Sequence, residues 1–165
     1  MEWIKRSLDK IDKLLNIIAG LALFLLMIWI VSDVVARAFF NSPIPGTMEI
    51  TGEYFMVLIV FLAISYTYKI GGHVNVELLQ SKFSNRINGI LKVICNLFII
   101  PVLIMTVLAN FNKGIEFFTE DIRTVSTLNY PLAPALMIIT LGLVLLTLRL
   151  ILETISILQG KKEFK

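Results

Sequence analysis

The sequence predicts an all-α membrane protein with four transmembrane helices, and three observations carry the prediction. Four long apolar runs alternate with polar segments, residues are 57% hydrophobic against 16% charged, and Lys and Arg gather on alternate connections. A soluble domain of 165 residues needs more polar surface than this composition supplies. The net charge of +3 has a topological explanation, given below, so no nucleic-acid partner is expected.

The first apolar run sets the scale. Ile17 to Ser32 carries no charge, and at 1.5 Å per residue the rise to Asp33 is roughly 24 Å and to Arg37 roughly 30 Å, about one hydrocarbon thickness. Ala36-Arg37-Ala38 imitates a signal-peptidase site. The run before it exceeds a signal h-region and a charge interrupts the pattern, so the segment is expected to stay as a membrane helix.

Residues 1–13 read as an interfacial amphipathic helix. Ile4, Leu8, Ile11 and Leu15 recur at steps of four, three and four, Lys5, Arg6, Lys10 and Lys13 take other faces, and Trp3 suits headgroup depth. The first transmembrane helix spans about 14–40. Pro43, Pro45 and Gly46 then force a turn, because proline lacks a donor and disfavours helix in the residue before it. The second helix spans about 48–69 and ends at Gly71-Gly72. Gly72 to Asn88, with Leu79, Phe83 and Ile87 at helical spacing, reads as a second, mid-chain interfacial helix. The third transmembrane helix spans about 88–110, with Pro101 expected to kink it. In the long connection 110–129, Ile115, Phe118 and Ile122 are placed to form the inner stripe of a short helix. The fourth helix spans about 131–158, opening at Tyr130-Pro131. The whole chain, 1–165, is expected to form one membrane domain.

Twelve of the fifteen Lys and Arg residues belong to the termini, the second connection and the helix ends beside them; Arg37, Lys113 and Arg123 lie on the other side. The positive-inside rule then puts both termini in the cytoplasm.

Few residues offer chemistry. Asp33 and Arg37, and Glu49 and Glu53, are i,i+4 pairs flanking one short turn, so the two faces can approach and Arg37 can neutralise one or more of the three carboxylates. Glu53 lies roughly 6 Å deeper than Glu49, where a carboxylate must find a partner or take up a proton. His73 is the sole histidine and Cys95 the sole cysteine. A zinc site needs three or four ligands and a membrane haem commonly a pair of histidines, so no cofactor is expected. Ser65, Asn96, Thr106, Thr140 and Thr147 are the few mid-membrane polar residues, available for bonds between helices. No catalytic constellation or continuous polar face emerges.

Four segments in order, Asp33-Val34-Val35-Ala36-Arg37, Asn41-Ser42-Pro43-Ile44-Pro45-Gly46-Thr47-Met48-Glu49, Phe61-Leu62-Ala63 and Gly72-His73-Val74-Asn75-Val76-Glu77, resemble the small Q-type membrane subunit of tripartite ATP-independent periplasmic (TRAP) transporters. Thr127-Leu128-Asn129-Tyr130-Pro131 and Gly142 are similar to the family's C-terminal part. The resemblance implies an inner-membrane scaffold paired with a large, elevator-type membrane subunit, with a periplasmic substrate-binding protein delivering an organic anion such as a sialic acid or C4-dicarboxylate for sodium-driven uptake. It also implies that Arg37 and Glu49 are structural or interface positions and that His73 marks the cytoplasmic end of the second helix. The same roles are expected of Asp33; Glu53 has no counterpart in the resemblance. Two rival functions remain: a small proton-coupled exporter, which would need a carboxylate within the first helix, and a membrane enzyme or haem carrier, which the single histidine disfavours.

Overall fold

The computed structural model describes residues 2–72, 85–124 and 128–159. Four helices in it are long and apolar enough to cross a bilayer, and the described residues form no named strand. We label the helices α1 (Glu2–Phe40), α2 (Thr47–Lys69), α3 (Asn85–Thr119) and α4 (Ala133–Leu158). His73 and most of the expected mid-chain interfacial helix lie outside the described residues.

The N-terminal segment is helical and continues into the first span without a break. Nothing between Lys13 and Leu14 interrupts it, since neither glycine nor proline precedes Gly20. Its inner face keeps Leu8 and Leu15 of the apolar stripe but is rotated away from Ile11. Ile11 is 45% exposed, while Leu8, Asp12, Ala19, Ala22 and Asp33 are buried, with Leu15, Leu26 and Trp29 half-buried among them. These positions advance by alternating fours and threes, the seam of a left-handed antiparallel helix pair. The small side chains of Ala19 and Ala22 let α2 come close.

α2 contains one expanded π-helical turn over Thr51–Phe55 before continuing as α-helix over Met56–Lys69. Its C-terminus closes with Gly71 at φ 74°. Gly72 N–H donates to Thr67 O at 2.9 Å and Gly71 N–H to Tyr68 O at 3.1 Å, the Schellman arrangement that satisfies the last carbonyls.

α3 runs well past the expected end near residue 110, and the separate short helix beyond it does not form. Of the stripe foreseen there, Ile115 at 43% and Phe118 at 78% exposure face outward, while Ile122 is half-buried. The inner line instead follows Asn96, Leu103, Val107, Asn110, Gly114 and Phe117. Gly114 decides it, because its bare face receives Met137 and Leu136 of α4. The helix passes through Pro101 without a break; Pro101 is exposed, so its ring points away from the packed side.

α4 is the centre. It packs against α2 on one side and α3 on the other, while α1 packs mainly on α2 and meets α4 only locally. In α4, 44% of the most apolar stretch is buried, against 11% in α1 and 6% in α3. The closest crossing is at Gly142, where an added Cβ would overlap the Phe61 carbonyl of α2.

Candidate functional site

The polar side chains fall into two clusters, one at each end of the bundle. Asp12 and Asp33 mark them on α1; they are twenty-one residues apart, a rise of ~31 Å. That equals a hydrocarbon core.

The first cluster holds the α1–α2 turn together. Asp33 is buried and accepts three bonds: Arg37 Nε at 2.7 Å, Ile44 N at 2.8 Å and Thr47 Oγ1 at 3.2 Å. The turn needs such a fixture because Pro43 and Pro45 donate nothing to hold it. Gly46, at φ 80°, precedes the first turn of α2, a conformation glycine adopts without strain. Of the three carboxylates within reach of the turn, Arg37 pairs with Asp33. Glu49 keeps a buried Oε2 for which the described residues provide no hydrogen bond, and Thr51 Oγ1 is in the same position.

Glu53 finds its partner in the α3–α4 connection, where Tyr130 Oη donates to Glu53 Oε2 at 2.8 Å. Beside it Tyr54 Oη donates to the Pro131 carbonyl, and the Tyr54 and Tyr130 rings meet edge to face at 5.2 Å. The π-helical turn explains how consecutive residues reach one loop, since its extra residue widens the turn and brings Glu53 and Tyr54 towards the same side. Burial and the bond to Glu53 push the Tyr130 phenol above its usual range. The connection is itself folded, with Thr124 N–H donating to Tyr130 O at 3.0 Å and Arg123 paired with Asp121.

The second cluster, at the end where α1 begins and α4 finishes, centres on Arg149 of α4. Its side chain is 4% exposed and that of Asp12 0%. Arg149 Nε and Nη2 both donate to Asp12 Oδ2, the former at 3.0 Å, and Nη2 also donates to Asp9 Oδ1 at 2.8 Å. Ser65 Oγ of α2 donates to the same Asp12 oxygen at 3.0 Å, and Lys69 lies 2.9 Å from Asp9. One turn along α4, Glu153 accepts from Tyr68 Oη and lies 3.8 Å from Lys92 of α3. Lys5 Nζ donates to Ser156 Oγ at 2.9 Å. All four helices are thereby linked within two turns of α4.

Asp9 and Asp12 are the residues the sequence reading missed. A signal existed: Asp12 occupies the same heptad position as Asp33, on the seam with Ala19, Ala22 and Leu26. A carboxylate on a packed seam requires a cation opposite.

Between the clusters, described residues 14–32, 54–68, 93–112 and 133–148 contain no Asp, Glu, Lys, Arg or His. Asn96 Nδ2 donates across to Thr154 Oγ1 at 3.0 Å. Thr106, Thr140 and Thr147 instead bond carbonyls of their own helices. No group of three or more His, Cys, Asp or Glu converges among the described residues.

Four spans with ionisable clusters towards their ends define a multi-pass integral membrane protein. Residues 26–160 match the family described as "Tripartite ATP-independent periplasmic transporters, DctQ component". The chain belongs to that family: it is a multi-pass component of a TRAP transporter and not an enzyme. No curated protein and no solved structure matches it.

Proposed function

We propose that this chain is the static scaffold subunit of its transporter. It would pair with a large elevator-type membrane subunit that carries substrate and sodium, fed by a periplasmic protein that binds an organic anion such as a sialic acid or C4-dicarboxylate. One observation carries the reading: apart from Glu53, which is bonded to Tyr130, the charged side chains of the described residues gather at two levels ~31 Å apart, and residues 14–32, 54–68, 93–112 and 133–148 have none. A chain that moves an anion with sodium or protons needs charged groups or a connected polar path in that layer, and Thr106, Thr140 and Thr147 there bond only carbonyls of their own helices. Here Arg149, Asp12, Glu153 and Asp33 are committed to bonds that fasten helices or turns.

Asp33, Arg37, Glu49, Glu53 and His73 are, on this reading, structural or interface positions. Both termini lie in the cytoplasm, because the termini and the second connection carry the excess of Lys and Arg.

The test is reconstitution. Vesicles holding this chain with a large membrane subunit that co-purifies with it should take up the anion when the binding protein and a sodium gradient are supplied, and vesicles holding this chain alone should take up nothing. Uptake by the chain alone overturns the scaffold reading. A reporter fused to each terminus checks orientation: signal on the periplasmic side would overturn the cytoplasmic assignment.

A further inference from the structure

The first sixteen residues look nearly neutral in sequence, with Lys5, Arg6, Lys10 and Lys13 set against Glu2, Asp9 and Asp12. Folding sorts them. Asp9 and Asp12 turn inward onto Arg149 and Lys69, and Lys5 turns towards Ser156. Arg6, Lys10 and Lys13 are left exposed on the opposite edge of α1, below Trp3, which is 80% exposed. These four advance by three, four and three residues, so they form a single line on the helix surface.

The line continues down the helix as Ile17, Leu21, Phe24 and Ile28, each between 46% and 60% exposed. One edge of α1 is therefore cationic for ~10 Å from Arg6 to Lys13, and apolar for ~16 Å from Ile17 to Ile28. An anionic phospholipid has this order of parts: a phosphate at the hydrocarbon boundary, then acyl chains ~15 Å deep. The elements packed against this end of α1 bring Lys69 and Arg149, which pair with Asp9 and Asp12, and Lys92, which faces Glu153, so Arg6, Lys10 and Lys13 carry the positive charge of the outer edge.

We propose that this edge of α1 binds an anionic phospholipid, with the phosphate between Lys10 and Lys13, Arg6 reaching the outer part of the headgroup, and the acyl chains along Ile17, Leu21 and Phe24. Guanidinium and ammonium groups form charge-assisted bonds with phosphate oxygens. Each exposed cation near an anionic leaflet contributes about a fivefold gain in association. The proposal stands on the chain's crossing the membrane and is independent of its part in transport.

The experiment takes the chain, with any large subunit that co-purifies, into nanodiscs of mixed phosphatidylglycerol and phosphatidylcholine, and measures lipid retained on release by native mass spectrometry. Wild type should retain phosphatidylglycerol preferentially. The R6Q/K10Q/K13Q variant, whose altered side chains are all exposed, should lose at least tenfold of that preference, and K10Q alone about fivefold. K113Q, at the opposite end of the bundle, should lose none. Equal retention of both lipids by wild type, or a preference unchanged in the triple variant, overturns the proposal; the former result would also fit an edge occupied by an acidic protein surface.

Discussion

Bonds from both α1 and α2 converge on Arg149, and its removal separates pairing from burial. Arg149→Met leaves Asp12 enclosed without its cation, and breaking a buried pair this way costs about 3–5 kcal/mol. Asp12→Asn alone leaves the guanidinium with Asp9. The double variant D12N/R149M should be more stable than R149M, because no uncompensated carboxylate remains at position 12; thermal melts of the four proteins in one detergent give the comparison. A double variant less stable than R149M would mean that the pair is not the main tie. At the other end, Glu53→Gln keeps an oxygen for the Tyr130 hydroxyl and should change stability by under about 0.5 kcal/mol. Tyr130→Phe removes the donor and should cost about 1 kcal/mol. Proton coupling lost in E53Q with the fold intact would instead favour the exporter reading. The sequence made the need for a Glu53 partner legible, since a carboxylate below the headgroups is costly. It could not name Tyr130, which is seventy-seven residues away and meets Glu53 only because the α3–α4 connection folds back. Asp9 and Asp12 were hidden for a related reason: apolar spacing in a basic segment gives one inner face, while a buried arginine elsewhere in the chain selects another.

At the scale of elements, close approach is set by glycine. Gly142→Ala would drive a methyl into the Phe61 carbonyl and to within 3.0 Å of its Cβ. Backbone cannot yield as a side-chain tip can, so α2 and α4 must part, costing roughly 1–3 kcal/mol. Gly89→Ala is the control, since the new methyl would sit 3.5 Å from an Ile157 methyl, an ordinary contact. Melting temperature should fall for G142A and hold or rise for G89A, where the better helix former replaces glycine. The four apolar runs were plain from composition and length alone. The end of α3 was not, because polar Asn110, Asn112 and Lys113 suggest a loop while Gly114 packs on Met137; tertiary contact overrides the local signal there. The π-helical turn has no sequence mark of its own, since it exists to aim Glu53 and Tyr54 together.

For the whole molecule, the order of packing is α1 beside α2, α2 beside α4 and α4 beside α3. Pairings of this kind are set by which small and polar residues face each other across helices, information that one-dimensional periodicity does not hold. Deleting residues 1–13 removes both carboxylates facing Arg149. It should lower thermal stability at least as much as D12N does, and should speed amide exchange at the end of α4 near Arg149. Unchanged exchange there would mean that α1 is held by α2 alone.

The central position of α4 also bears on how the chain is made. Ribosomes deliver the N-terminus first, so the helix that joins the others is the last to enter the bilayer. Until it arrives, Asp12 has Ser65 at hand but no guanidinium, and α3 has no neighbour against which to lay Gly114 and Asn96. The incomplete protein therefore carries Asp12 without its guanidinium while Asp9 already has Lys69, and arrival of Arg149 is the event that ends that state.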